Sequence, residues 1–183
     1  MTKDGRADWI FEVFKKLGHR QYGESVTKLQ HALQTATFAQ QFKETDAVVV
    51  ASLLHDFGHL QHDGGEDIAD KGIDMLHENL GAKQLGPFFR PEVVEPIRLH
   101  LTAKRYLCWQ SKEYLKGLST ASQLSLNLQG GLMTELEARE FEKNPYFEAA
   151  VRLRRYDDMG KVPNMKTEEI GSFRALLVSM LVC

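Results

Sequence analysis

Apolar positions recur at helical spacing along nearly the whole chain, and alternating β-branched runs are scarce. Trp9, Ile10, Val13, Phe14 and Leu17 form a first apolar stripe that Gly18 should end. Ser25 is placed to cap a second helix reaching Phe42, with Leu29, Leu33, Ala36 and Ala39 on its inward face. Asp46 is placed to cap a third, burying Val49, Val50, Leu53 and Leu54, with Gly58 at its end. The run Val48-Val49-Val50 alone would suit a strand, but Ala51-Ser52-Leu53-Leu54 continues it as a helix. Residues 61–65 read as a loop and residues 72–85 as a helix. Pro87 and Pro91 bracket a turn. Pro91 suits the first position of the next helix, which Pro96 should kink. Short helices are expected near 112–115 and 119–127, followed by a break at Gln129-Gly130-Gly131. Thr134 with Glu137 makes a capping box for an acidic helix. Pro145 should open another that ends between Asp157 and Gly160, and residues 168–182 form a last amphipathic segment. With no repeat and no linker, the pattern predicts an all-α fold in one domain spanning residues 1–183.

Composition narrows the class without naming a function. A chain of 183 residues can bury a core without staples. Hydrophobic content is 43%, charged content 26% and formal net charge −2, so no overall field draws the chain to nucleic acid or membrane. No apolar run approaches the ~20 residues of a spanning helix, and residues 1–8 have no apolar signal core. The two cysteines, Cys108 and Cys183, stand far apart without metal spacing, which makes a reducing cytoplasm the expected location.

The chemistry concentrates around Leu53-Leu54-His55-Asp56-Phe57-Gly58-His59. Read as helical neighbours, His55 and Asp56 diverge by about 100°, so an imidazole can bind one metal while the carboxylate bridges two. His31, His77 and His100 are also embedded in apolar stretches. One such histidine is usually a hydrogen-bonded core residue; several around a His-Asp doublet point to a metal site. Nitrogen and carboxylate donors without thiolate suit iron, manganese, nickel or zinc. His59, a turn beyond His55, suits a supporting or substrate-binding role, and His19 and His62 suit the surface. Lys104, Arg105, Arg152, Arg154 and Arg155 are candidates for recognising an anion.

At these residues the chain resembles the HD-domain superfamily, in which His…His-Asp…Asp holds metal on a helical core. Most of its members are metal-dependent phosphohydrolases. The resemblance is more specific to its small branch of mixed-valent di-iron oxygenases that act on 1-hydroxyphosphonates, such as 2-amino-1-hydroxyethylphosphonate dioxygenase. It is carried by His31-Ala-Leu-Gln34-Thr-Ala36, Leu53 to His59, His77-Glu78-Asn79-Leu80-Gly81-Ala82 and His100-Leu-Thr-Ala103-Lys104-Arg105-Tyr106-Leu107. Tyr114-Leu115-Lys116, Leu118-Ser119, Ala121-Ser122, Gln129-Gly130-Gly131 and Asp157 before Gly160-Lys161 extend it. It runs in order over residues 20–161, and the whole chain would be a single HD domain.

The resemblance implies that His31, His55, Asp56 and Asp157 hold one iron, and that Asp56 bridges to a second held by His77 and His100. Tyr156 before Asp157 favours that aspartate over Asp158. Lys104, Ser122, Arg154 and His59 would bind the phosphonate oxygens, with Asp56, Lys104 and His59 acting at the reacting atoms. Tyr22 and Glu24 would form a cap in which the tyrosine gates the iron and the carboxylate contacts the substrate amine. The family pattern has one more residue between them, and the spacing to His31 fits Glu24 better than Tyr22. The implied activity is O2-dependent C–P cleavage, giving phosphate and a carboxylic acid. Its substrate would be 2-amino-1-hydroxyethylphosphonate, an N-methylated analogue or hydroxymethylphosphonate. A separate hydroxylase would be the functional partner that supplies it. The alternatives are a phosphohydrolase with two divalent metals, or a regulatory module with a dead site, which the complete ligand set argues against.

Overall fold

A computed structural model describes residues 1–22, 25–61 and 77–182, and among them every regular element is helical. Helix α1 (Lys3–Leu17) starts at a Thr2 cap and buries Ala7, Ile10 and Phe14. Helix α2 (Lys28–Gln41) is capped by Thr27, not Ser25. The reason is local: Thr27 has Gln30 three residues on, and the two close a reciprocal capping box. Ser25 has Lys28 at that position, which offers no acceptor. Likewise Thr45 caps α3 (Asp46–Leu54), and Asp46 supplies first-turn negative charge instead.

The larger correction concerns the doublet. Helix α3 stops at Leu54, and a 3-10 turn spans Phe57–Gln61. His55 is therefore the cap residue of α3, still with helical dihedrals, and Asp56 falls in the turn between α3 and the 3-10 segment. Helix α4 is described over His77–Leu85; the start expected at residue 72 lies outside the described residues. Helix α5 (Pro91–Gln110) runs unbroken through Pro96. A proline there leaves open the carbonyl of first-turn Glu92, an exposed residue. Helices α6 (Lys112–Gly117), α7 (Thr120–Leu128) and α8 (Glu135–Glu142) follow, α8 with the Thr134–Glu137 box. Helix α9 (Phe147–Met159) begins after Pro145, and the final segment divides into a 3-10 turn, Ile170–Phe173, and α10 (Arg174–Met180).

Helix α5 is the central post, packed against α9, α4 and α3, while α2 packs on α3 and α9. One core joins Ile10, Phe14, Leu53, Leu54, Phe57, Leu85, Ile97, Leu153 and Leu177; a second joins Leu99, Ala103, Tyr106, Leu107, Met133 and Phe141. Two glycines permit the close approaches that shape the centre. A side-chain carbon at Gly58 would lie 2.0 Å from the His77 carbonyl oxygen, and one at Gly160 would lie 2.5 Å from Thr35 Oγ1. No helix among the described residues is long and apolar enough to cross a membrane.

Candidate metal centre

Five helices deliver imidazoles and carboxylates to one point. His31 comes from α2, His55 and Asp56 from the end of α3, His77 from α4, His100 from α5 and Asp157 from α9. His31 Nδ1 lies 2.8 Å from the Gly160 carbonyl, His55 Nδ1 2.9 Å from that of Ser52, and His100 Nδ1 2.6 Å from that of Ile97. A carbonyl only accepts, so each Nδ1 carries the proton and each Nε2 turns a lone pair inward. The Nε2 atoms of His31 and His55 stand 3.0 Å apart, and those of His77 and His100 3.4 Å apart. Asp56 lies between the two pairs. Its Oδ2 is 3.4 Å from His55 Nε2 and 3.6 Å from His31 Nε2. Its Oδ1 is 3.3 Å from His77 Nε2 and 3.8 Å from His100 Nε2. Asp157 Oδ1 joins the first pair, 3.3 Å from His31 Nε2.

Lone pairs facing one another at these distances repel unless something positive lies between them. Protons are poor candidates for that place. Burial pushes His55 and His100 toward the neutral form, His100 down to about 3. Asp56 stays ionised: burial acts to raise its pKa, but His55, His59 and His77 hold it well below the usual carboxylate range. Asp157 is likewise held low against the effect of burial, chiefly by Arg154. Asp56 Oδ2 and Asp157 Oδ1 are buried and accept no hydrogen bond among the described residues. Two distinct groupings, His31–His55–Asp157 and Asp56–His59–His77, have geometry that could hold a metal ion. Imidazole nitrogens together with ionised carboxylates suit a borderline-to-hard divalent cation.

The expected substrate residues divide. Lys104 is 2% exposed, and its Nζ donates to Ser125 Oγ at 2.9 Å, a partner the sequence reading missed. Burial, then Arg154, lowers Lys104 to about 7. Ser122 lies one helical turn before Ser125 and accepts at 3.4 Å from Lys161, also missed. The guanidinium of Arg154 is engaged with its own helix, with Nη1 2.7 Å from Asp157 Oδ2 and Nη2 on Asp158. Its Nε donates at 3.2 Å to the Tyr114 hydroxyl. In this structure it orients Asp157, leaving that residue's Oδ1 to His31. The His59 ring stacks on that of His77 at 3.7 Å, and the His59 carbonyl accepts from Lys28 at 3.2 Å. Tyr22 stacks on His31 at 3.9 Å, where burial, then Asp56 and Asp157, push its phenol well above the usual value. Glu24 and His62 lie outside the described residues. His19 is exposed, as expected. Arg105 and Arg152 turn away to Glu137 and Glu44, and Arg155 is exposed.

The chain is 45% identical over 181 residues to the hydroxymethylphosphonate dioxygenase of Gimesia maris, covering 98% of this chain and 90% of that protein. It is 39% identical over 182 residues to the glycine-betaine-forming [1-hydroxy-2-(trimethylamino)ethyl]phosphonate dioxygenase of Leisingera caerulea, covering 99% and 93%. An uncharacterized protein of Acanthamoeba polyphaga mimivirus is 31% identical over 175 residues, covering 94% and 80%. The model of the HD domain matches residues 29–129, which include His31, the His55-Asp56 doublet, His77 and His100. The chain belongs to the HD-domain family.

Proposed function

We propose that this chain is a di-iron oxygenase that cleaves the C–P bond of a 1-hydroxyalkylphosphonate with O2. The observation that carries the reading is the position of Asp56, with one oxygen toward the His31–His55 pair and the other toward the His77–His100 pair. A carboxylate so placed suits a bridge between two ions. His31, His55 and Asp157 would complete one ion's protein ligands, and His77 and His100 the other's. The relatives named as phosphonate dioxygenases support O2 chemistry, and the resemblance to the di-iron oxygenase branch is what suggests iron in a mixed Fe(II)/Fe(III) pair. Bound there, the metals would supply Lewis acidity and activation of O2.

The chain's own residues supply placement and charge. The first ion would have four protein ligands with Asp56 counted, and the second three. The second side therefore has more room for substrate to chelate through its hydroxyl and a phosphonate oxygen. Lys104 and Ser122 would take the remaining phosphonate oxygens, and His59, stacked on His77, would border the same side. Arg154 would act through Asp157. Tyr22 covers His31, so it would stand between substrate-free solvent and the first ion. The reaction balances without an external reductant. Hydroxymethylphosphonate and O2 give formate, phosphate and a proton, with the carbon supplying all four electrons. A 2-amino or N-methylated substrate would give the corresponding amino acid or betaine; Glu24 of the cap is the residue proposed to select among these. A hydroxylase acting on the parent phosphonate is the proposed functional partner.

The test is to load the protein with iron and ascorbate and assay phosphate release from the three hydroxyphosphonates, with and without O2, alongside EPR. O2-dependent release and a mixed-valent signal that changes on adding substrate are expected. Hydrolysis of phosphate esters without O2, and no mixed-valent signal, would replace this reading with a hydrolase.

A further inference from the structure

We propose that Lys161, clamped in place through Gln34, is a substrate-binding residue that contacts the phosphonate dianion together with Lys104. The inference rests on the functional reading above. After α9 ends at Gly160, the chain passes back across α2. Gln34 is 1% exposed and pairs with Val162 twice, its Nε2 donating to the Val162 carbonyl and its Oε1 accepting from the Val162 N–H, both at 2.9 Å. A side-chain amide used this way fixes the backbone as a short ladder would. The clamped segment does two things. It holds the Gly160 carbonyl on His31 Nδ1, and it aims Lys161 at the metal centre. Lys161 Nζ lies 3.4 Å from Ser122 Oγ and 5.7 Å from the centre of the Tyr22 ring, and its charge helps to keep Asp157 ionised.

Lys104 reaches the same turn of α7 from α5. Its Nζ donates to Ser125 Oγ, which donates at 3.1 Å to the Ser122 carbonyl. Two ammonium groups thus reach one turn of α7, Lys161 at Ser122 and Lys104 at Ser125. A phosphonate has three oxygens and a charge near −2, more than one lysine can match. Arg154, the other cation beside Asp157, already directs its nitrogens to Asp157, Asp158 and Tyr114. Lys161 is half-buried at the end of the clamped segment, with the Ser122 hydroxyl within its reach.

The experiment uses iron-loaded full-length protein and K161M, with K161R as the charge-retaining control. Steady-state turnover is measured with hydroxymethylphosphonate, and its binding is measured anaerobically by calorimetry. K161M is expected to raise KM and the anaerobic Kd by about ten- to a hundredfold, the range for losing a charge-assisted hydrogen bond. The expected kcat and iron content are those of the wild type, and K161R should recover most of the affinity. Q34E should raise KM in the same direction and add little to K161M. Unchanged KM and Kd in K161M would overturn the proposal, and so would loss of iron together with affinity, which would make Lys161 a support for Asp157. Full additivity of Q34E and K161M would overturn the role of Gln34. The functional reading fails separately, if the wild type releases no phosphate under O2 from any hydroxyphosphonate.

Discussion

Gly58→Ala tests how the centre is assembled, because it changes no proposed ligand and no charge. The added carbon would lie 2.0 Å from the His77 carbonyl oxygen, 2.8 Å from the His77 carbonyl carbon and 3.0 Å from the Gly81 nitrogen. All three are backbone atoms, so no rotamer change relieves the contact. Restoring an ordinary separation of roughly 3.5 Å requires the turn and the start of α4 to part by roughly 1.5 Å. Metal–ligand distances tolerate about 0.2 Å, so a displacement of that size withdraws His77 from an ion shared with Asp56 and His100. His31, His55 and Asp157 come from elements that do not touch Gly58 in this way, and their side should survive. The expected outcome is about one iron per chain in place of two, no O2-dependent phosphate release, and a stability loss of about 1–3 kcal/mol from overpacking. Metal analysis after reconstitution, with circular dichroism to confirm the fold, measures it. Two irons per chain and wild-type turnover would refute the claim that Gly58 seats His77 as a ligand.

Four further outcomes follow from the same geometry. Gly160→Ala should break the bond from His31 Nδ1 to the Gly160 carbonyl, since the new carbon would meet Thr35 Oγ1 at 2.5 Å; iron affinity should fall about 10- to 100-fold, as for other lost partners of a ligating imidazole, by equilibrium dialysis. Lys104 is lowered to about 7, so in the substrate-free protein its charge is present below that pH and lost above it. Substrate affinity should therefore fall as pH rises above about 7, and K104R, which cannot deprotonate, should flatten the profile of kcat/KM; a flat wild-type profile would remove Lys104 from the phosphonate site. The same shift acts on stability with a definite sign. The cost of burying the charged lysine is full below pH 7 and is relieved as pH rises toward the unfolded value of about 10.4, so Lys104's contribution should grow over that window in urea titrations of K104M against wild type. Ferrous iron at about a hundredfold over its Kd should stabilise the fold by about 2.7 kcal/mol per site, seen as a rise in Tm that a chelator reverses; Asp56→Asn should lose most of it.

The sequence showed the donors but misdrew how they converge. His31, His77 and His100 were legible because each interrupts an apolar stripe, and a buried imidazole there needs a partner. The doublet was legible too, yet its geometry was not. Helical periodicity carries α3 to Gly58, whereas the helix ends at Leu54 with His55 as its αR cap, and Asp56 falls in the turn that follows. Ser122 and Ser125 share a helix face, and which of them meets Lys104 depends on a few degrees of helix rotation that no spacing encodes. Arg154 reads as an anion binder from its charge, although Asp157 and Asp158 stand three and four residues on along the same helix, where spacing already offers them as partners; only its contact with Tyr114 is tertiary. Lys161 escaped because it follows a helix end, where periodicity stops carrying information. The signal that could have found it was Gln34: a buried amide facing α9 must satisfy both its donor and its acceptor, and a strand-like backbone segment satisfies both at once.

These placements bear on why one helical scaffold could serve oxidation rather than hydrolysis. Both chemistries can use two ions and a bridging carboxylate, so Asp56 does not separate them. What separates them is the inequality of the two sides. On the proposed assignment the first ion is enclosed by His31, His55 and Asp157 and covered by Tyr22, while the second has only His77 and His100 besides the shared Asp56. A phosphate ester needs an activated water near phosphorus. A hydroxyphosphonate would need its charge anchored by the chain's cations while its carbon is held at the site that activates O2. The two lysines at the Ser122–Ser125 turn, the stacked tyrosine on His31 and the glycine contact that seats His77 all favour the second requirement. A variant that opened the tyrosine cover while keeping both lysines should bind substrate normally and uncouple O2 consumption from phosphate release; Tyr22→Ala, assayed for both in one reaction, checks it, and retained one-to-one coupling would mean that the covered side plays no part in directing oxygen.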